Sequence, residues 1–157
     1  MEAFGKSRNK GPFQILLVED NPGDICLTRE AFREGTFEHM LHVVKDGVDA
    51  LEFVYKKGQF ADSPTPDLIL LDLNLPRKDG REVLAQLKAD VALRLIPIII
   101  LTTSDAEQDI LNSYALHANC FITKPVDLDQ FIFIIRQMEI FWFTIAQLPI
   151  KSTNHPY

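Results

Sequence analysis

Residues 13–24 read FQILLVEDNPGD, a mostly apolar run that stops at two adjacent acids and a Pro-Gly pair. Short apolar runs bounded by turn residues are typical of strands that are buried on both faces of a parallel sheet. Two neighbouring carboxylates at the end of such a strand repel each other, so their placement indicates that something offsets the repulsion. The chemistry of this chain therefore depends on which side chains or ions lie next to the carboxylates of Glu19 and Asp20.

The length and charge of the chain limit the classes of protein to which it can belong. Its 157 residues suit one domain that forms a core without disulfides or metals. The net charge of −6 argues against nucleic-acid binding through bulk electrostatics. With two cysteines and no apolar run long enough to span a bilayer, we expect a cytoplasmic protein without a membrane partner. We also expect a flexible arm at 1–11, one domain at 12–143 and a C-terminal extension at 144–157.

Strand and helix patterns alternate along the domain. Alternation of this kind predicts an α/β fold with a doubly wound parallel sheet and right-handed crossovers. At this size the flavodoxin-like strand order 2-1-3-4-5 with five helices is expected, with a site at the carboxyl ends of strands 1 and 3. The predicted strands are 13–18, 41–44, 67–72, 96–101 and 119–123, and the predicted helices are 24–34, 48–57, 80–89, one beginning near 105, and 128–143.

Several helix ends carry residues that are suited to capping. Asp24 is expected to cap the first helix rather than to bind a metal, and Asp127 is expected to cap the last. Ser104 or Asp105 is expected to cap the fourth. The helical spacing predicts buried side chains at positions that include Leu87, Tyr114, Leu128 and Phe131.

Polar residues follow four of the five predicted strands. Glu19 and Asp20 end the first strand, Asp72 the third, Thr102 the fourth and Lys124 the fifth. Each alone is most simply a turn or cap residue, but in a parallel sheet all of them meet at one edge. Three carboxylates in one crevice require a cation, and their oxygen ligands suit Mg²⁺ rather than zinc.

The same group of residues favours phosphoryl transfer. A carboxylate beside Mg²⁺ and a lysine is suited to accept a phosphoryl group as an acyl phosphate. The lysine and the metal would neutralise charge on the transferred group, while a hydroxyl donor holds one of its oxygens. Asp72 lies at the centre of this edge and is the predicted nucleophile.

The motifs ED, DLNLPRKDG, ILTTS and ITKP, in this order, resemble the receiver domain of two-component response regulators over about residues 12–142. The resemblance implies that a histidine kinase phosphorylates Asp72. It also implies that Mg²⁺ is held by Asp20 directly, by Glu19 mainly through water, by Asp72, and by the backbone carbonyl of Asn74. The protein would then be a signalling protein, an enzyme only in its own phosphotransfer and dephosphorylation.

The resemblance also implies a conformational switch. Thr102 would turn towards the phosphoryl group, Phe121 would swing inward, and Lys124 would pair with the phosphoryl oxygens. The bond before Pro125 is often cis in this family. Thr103 stands where receivers often have Ala or Gly, so its side chain either narrows access to the phosphoryl group or simply ends a strand.

The last predicted helix carries more apolar residues than one inward stripe absorbs. A helix that is apolar over most of its circumference must be covered by something else. We expect a homodimer through this helix and the tail 144–157, the alternative being a tail that folds back over its own surface. The residues expected at the interface are Phe133, Ile140, Phe141 and Phe143.

A narrower resemblance concerns the partner. DNPGD, the long motif after strand 3, and FWF followed by LP are similar to stand-alone regulators of bacterial phytochrome kinases, notably the cyanobacterial ones. This resemblance implies a light-sensing histidine kinase as the phosphodonor.

Two other functions fit parts of the pattern. A phosphohydrolase of the haloacid dehalogenase type also uses an aspartate at a strand end, but it requires a second aspartate two residues later, where this chain has Asn74. A flavodoxin binds the phosphate of its flavin in a Ser/Thr/Gly loop after strand 1, and acidic residues occupy that loop here.

Overall fold

Five parallel strands form a single sheet in the order β2-β1-β3-β4-β5 in the computed structural model, which describes residues 11–35, 37–103, 106–124 and 127–141. The predicted α/β fold and its strand order are confirmed. A short 3₁₀ helix at Gly58–Phe60 follows α2. In chain order the other elements are β1 (Phe13–Val18), α1 (Pro22–Arg33), β2 (His39–Val44), α2 (Gly47–Tyr55), β3 (Leu68–Leu71), α3 (Gly80–Ala89), β4 (Ile98–Thr102), α4 (Glu107–Ala115), β5 (Cys120–Thr123) and α5 (Leu128–Ile140).

The two faces of the sheet build two apolar cores. Along β1, Leu16 and Val18 pack with residues of α2 and α3, whereas Ile15 and Leu17 pack with residues of α1 and α5. Successive side chains of a strand point to opposite faces, so a continuous apolar run serves both cores at once. The central strands β3 and β4 are therefore buried along their whole length, as is β1 from Ile15 onward, and polar side chains appear where these strands end.

Four helices begin with a side chain that accepts a backbone N–H of the first turn. Asn21, Asp46, Asp79 and Asp127 act in this way for α1, α2, α3 and α5. The expectation for Asp127 is confirmed, but the one for Asp24 is wrong. Because Pro22 is the first residue of α1, the cap is Asn21, whose Oδ1 accepts the N–H of Asp24 at 3.0 Å.

Two further expectations are corrected, and a third lies outside the described residues. Ala106 occupies the N-cap position of α4 and makes no side-chain capping bond, while Ser104 and Asp105, the expected caps, lie outside the described part of the chain. Tyr114 is 49% exposed because its hydroxyl lies over the edge strand β5, where it accepts the N–H of Phe121 at 3.2 Å. Leu128 is also exposed, since it is the first residue of α5 and the buried stripe begins one turn later at Phe131.

Some predictions fall on residues outside the described part of the chain. These include the arm at 1–10, Pro125, Phe143 and the extension at 144–157. The expected boundaries of the arm and of the extension therefore stay predictions.

Candidate functional site

The polar strand ends meet because the backbone ladder continues one residue past each strand. The N–H of Glu19 donates to the carbonyl of Val44 at 3.0 Å, and the N–H of Asp72 donates to that of Val18 at 3.1 Å. The N–H of Lys124 donates to the carbonyl of Thr102 at 2.7 Å. Neighbouring parallel strands thus end in register, which brings their terminal side chains to one edge of the sheet.

The ammonium group of Lys124 lies among three carboxylates at this edge. Its Nζ donates to a carboxylate oxygen of Glu19, to Oδ2 of Asp24 at 2.7 Å and to Oδ2 of Asp72 at 3.0 Å. Glu19, Asp72 and Lys124 are all buried, whereas the side chain of Asp24 is 24% exposed. An ammonium has three N–H donors, and here three carboxylates surround them.

Asp72 is a buried carboxylate that its neighbours keep ionised. Burial alone would raise its pKa, but hydrogen bonds from the Thr102 hydroxyl and from Lys124, with the lysine charge, lower the pKa below its usual value. Its Oδ1 also accepts the N–H of Asn74 at 3.2 Å. The carboxylate is therefore charged at neutral pH and held in one orientation.

Glu19 and Lys124 respond to burial in opposite ways. Burial, reinforced by the charge of Asp72, raises the pKa of Glu19 to about 7, although the bond from Lys124 opposes this. Burial alone would lower the pKa of Lys124, but its carboxylate partners Asp24 and Glu19 have the larger, opposite effect. The pKa of Lys124 is therefore raised above its ordinary value, and the lysine stays charged. The cluster thus holds excess negative charge around one buried cation, an arrangement that a further cation stabilises.

Three of the acids are close enough to share a metal ion. One carboxylate oxygen from each of Glu19, Asp20 and Asp72 lies within 4.8 Å of the others. Asp20 is exposed, so the group opens to solvent on one side. Oxygen ligands with room for water suit a hard divalent cation such as Mg²⁺. Asn74 is exposed beside this group, and its backbone N–H donates to Oδ1 of Asp72.

The other residues singled out from the sequence are the switch residue on β5, the threonine after β4 and the apolar residues at the last helix. Phe121 is half-buried on β5, in register with Ile100, and packs against the core on the α2–α3 face. Thr103 is exposed directly after β4. Phe133 and Ile140 on α5 and the C-cap residue Phe141 are 63%, 46% and 50% exposed, as expected for residues that the inward stripe leaves out.

Sequence reasoning missed the role of Asp24 as a partner of Lys124. The usual capping preference of aspartate suggested a cap. Because the helix starts at Pro22, Asp24 lies in the first turn instead, and its carboxylate reaches the ammonium of Lys124. The signal was its place four residues after Asp20, in a first turn that faces the strand ends.

Comparison with known proteins decides the family. The family model of the response regulator receiver domain matches residues 15–136. The chain belongs to this family. It is 45% identical over 138 residues to response regulator Rcp1 of Synechocystis, covering 88% of this chain and 94% of that protein.

Solved structures agree with the assignment as a receiver. The phosphorylated cyanobacterial phytochrome response regulator RcpA superposes with a TM-score of 0.85 at 48% identity, covering 88% of this chain and 99% of that one. The Mn²⁺-bound form of Rcp1 superposes with a TM-score of 0.83 at 45% identity, covering 88% of this chain and 100% of that one.

Membership of the receiver family makes this protein a response regulator, a signalling protein rather than a conventional enzyme. The alternative of a haloacid-dehalogenase-type phosphohydrolase is not favoured. Within the described residues, the structure contains no helix that combines the length and apolar character needed to cross a membrane.

Proposed function

We propose that this receiver accepts a phosphoryl group on Asp72 from a histidine kinase and signals by a change of conformation. The observation that carries the proposal is the environment of Asp72. It is a buried carboxylate held ionised by Thr102 and Lys124, beside acids that are close enough to share a metal. A charged, oriented carboxylate with adjacent positive charge is what a nucleophile for phosphoryl transfer requires.

In the proposed reaction, a carboxylate oxygen of Asp72 attacks the phosphorus of a phosphohistidine. An O–P bond forms, the N–P bond breaks, and the electron pair of the broken bond returns to the imidazole. Lys124 and Thr102 already donate to Asp72, so both lie near the position of the transferred oxygens. Their N–H and O–H groups would stabilise the negative charge on those oxygens.

We propose Mg²⁺ as the resident ion, held by Glu19, Asp20, Asp72 and the backbone carbonyl of Asn74. The oxygen-only donor set, with two buried acids and one exposed acid, supports a hard divalent cation. When bound, the ion would neutralise the charge that gathers as the anionic phosphoryl group approaches. The Mn²⁺-bound form of the related Rcp1 supports a divalent metal in this family.

Thr102 and Phe121 are the proposed switch. Thr102 is fully buried at the end of β4 and already donates to Asp72, so a phosphoryl group there would offer its hydroxyl a new acceptor. Phe121 is only half-buried against the core, so an inward movement of its ring would remove further apolar surface from water. Phosphorylation would then shift the balance between two existing arrangements.

We further propose a phytochrome-type histidine kinase as phosphodonor, since the related RcpA is described as a phytochrome response regulator. The chain would act in the cytoplasm as a homodimer through the last helix and the tail. The exposed apolar residues Phe133, Ile140 and Phe141 support such an interface, to which Phe143 would belong.

Phosphotransfer to wild type and to Asp72→Asn tests the function. Wild type should be labelled by acetyl phosphate with Mg²⁺ and by a phosphorylated cyanobacterial phytochrome kinase, and Asp72→Asn should lose the label in both reactions. The matched control is Asp67→Asn, a buried aspartate just before β3, at the far end of the strand from Asp72. Equal labelling of wild type and Asp72→Asn would refute the assignment, and labelling by acetyl phosphate alone would refute only the choice of kinase.

A further inference from the structure

Among the described residues, Asp24 is the one acid bonded to Lys124 that does not belong to the group able to share a metal. Glu19 and Asp72 contact Lys124 and also belong to that group. A bound cation would draw their charge away from the lysine. The bond from Lys124 to Asp24 would therefore persist in the metal-loaded protein.

The position of Asp24 is set by its backbone and not by its carboxylate. Its N–H donates to Oδ1 of Asn21 at 3.0 Å, and its carbonyl accepts the hydroxyl of Thr28 at 2.7 Å. The carboxylate is left to contact Lys124 at 2.7 Å. Removing only the charge of Asp24 therefore leaves the start of α1 intact.

We infer that Asp24 is a positioning residue that restrains Lys124 and thereby weakens the hold of the site on an anionic phosphoryl group. This inference rests on the proposed function. The ammonium has three N–H donors, so an incoming phosphoryl oxygen must displace or share with an existing carboxylate. Asp24 competes for one donor, and its negative charge also weakens the attraction that the charge of Lys124 exerts on the incoming anion. Both effects act in the same direction.

The size of the effect follows from the environment. The hydrogen bonds of Lys124 are charge-assisted, since they join an ammonium to carboxylates. Because Lys124 is buried, solvent screens these bonds little. Asp24 is 24% exposed, so solvent screens part of its charge. We therefore expect Asp24→Asn to bind beryllium fluoride, a phosphoryl analogue, about three- to tenfold more tightly in the presence of Mg²⁺.

The experiment is calorimetric titration of beryllium fluoride with Mg²⁺ into the full chain. Glu30→Gln is the matched control, because it removes the same charge from a partly exposed position on the same helix, where Glu30 pairs with Arg33 and not with Lys124. It should bind as wild type does. A separate titration with Mg²⁺ alone should show no gain for Asp24→Asn, since Asp24 acts on the lysine and not on the metal.

A second comparison tests whether Asp24 acts through Lys124. In a Lys124→Met background, Asp24→Asn should change the affinity for beryllium fluoride by less than about twofold, because the shared partner is gone. If that background binds too weakly to measure, the comparison of Asp24→Asn with Glu30→Gln decides alone.

Three results would overturn the inference: unchanged or weaker binding by Asp24→Asn, an equal gain with Mg²⁺ alone, or a gain that survives in Lys124→Met. A wild type that neither binds beryllium fluoride nor becomes labelled would instead refute the proposed function. Failure of the inference and failure of the function are thus distinguished by the behaviour of wild type.

Discussion

At the scale of single residues, Glu139 is an acid on α5 in an unusual place. It is 2% exposed, and its Oε2 has no hydrogen-bond partner among the described residues. The carboxyl fills the space beside the backbone of Gly35, where a Cβ would lie 2.1 Å from Oε1. Burial raises the pKa of Glu139. The backbone N–H of Phe37 and the charge of Arg136 lower the pKa by less, so it stands at about 7. A buried acid with an unpaired oxygen favours the protonated form.

This pKa predicts that Glu139 makes stability depend on pH. Since the folded pKa of about 7 exceeds the ordinary 4.5, the native state binds the proton more tightly. Its stabilising contribution is complete below pH 4.5 and is lost as the pH rises to about 7. Glu139→Gln removes that loss. At pH 8 the free energy of unfolding of the variant should therefore be about 1–3 kcal/mol higher than that of wild type, and at pH 5 the difference should be much smaller.

Urea unfolding of both proteins at the two pH values measures this difference. Glu19, whose pKa is also raised to about 7, adds a slope of the same sign to both proteins, so each comparison is made at one pH. Glu30→Gln, which alters a partly exposed acid, should follow wild type at both pH values. A gain for Glu139→Gln that does not grow between pH 5 and pH 8 would contradict the prediction.

At the scale of elements, the start of α3 is packed directly against the site. A Cβ on Gly80 would lie 2.1 Å from the carbonyl oxygen of Asp72, and the N–H of Gly80 donates to the carbonyl of Leu73 at 2.9 Å. Only glycine allows the helix to approach the strand end so closely. The helix therefore supports the backbone that carries Asp72.

Gly80→Ala should destabilise the fold by about 1–3 kcal/mol, because the new methyl group meets backbone that cannot move independently. The displaced strand end should also slow labelling of Asp72 by acetyl phosphate. Thermal or urea unfolding and the labelling rate measure the two effects. Gly23→Ala is the matched control, since its Cβ would meet only the side-chain Oδ1 of Asn21, at 3.2 Å. A Gly80→Ala protein as stable as wild type would show that α3 does not depend on this contact.

At the scale of the whole molecule, α5 presents apolar side chains on two sides. Phe131, Ile135 and Met138 are buried against the sheet. Phe133 is 63% exposed, and Phe141 is 50% exposed. The described residues of one monomer leave this second stripe exposed. A second copy of the chain is the proposed cover, and a tail that folds back over its own surface is the alternative.

Phe133→Asp or Phe141→Lys should reduce the mass measured by light scattering from that of a dimer to that of a monomer. A charge placed in an apolar interface loses its hydration without gaining a partner, which disfavours association. Circular dichroism should show the fold unchanged. Met40→Lys alters an exposed apolar residue on β2, the edge strand opposite β5, and should leave the mass unchanged. An unaltered dimer in both α5 variants would exclude an interface on this helix.

Local pattern was sufficient for most of the architecture. The run 13–18 was predicted with both of its ends, and Gly80–Ala89 was found as expected, since apolar periodicity and turn residues act over short distances. The parallel sheet and its order followed from the alternation of strands and helices. The predicted acids, hydroxyl and lysine of the site were also readable, because parallel strands must bring their carboxyl ends together.

Contacts between distant segments decided the rest. Nothing in residues 21–24 says that the carboxylate of Asp24 reaches Lys124, 100 residues away in the chain. Tyr114 and Leu128 have core-like spacing but are exposed, because burial depends on which surface a helix meets. Glu139 looks like a surface acid until the loop after α1 closes over it. Periodicity and turn chemistry depend on neighbouring residues, whereas desolvation and charge pairing depend on segments that only the folded chain brings together.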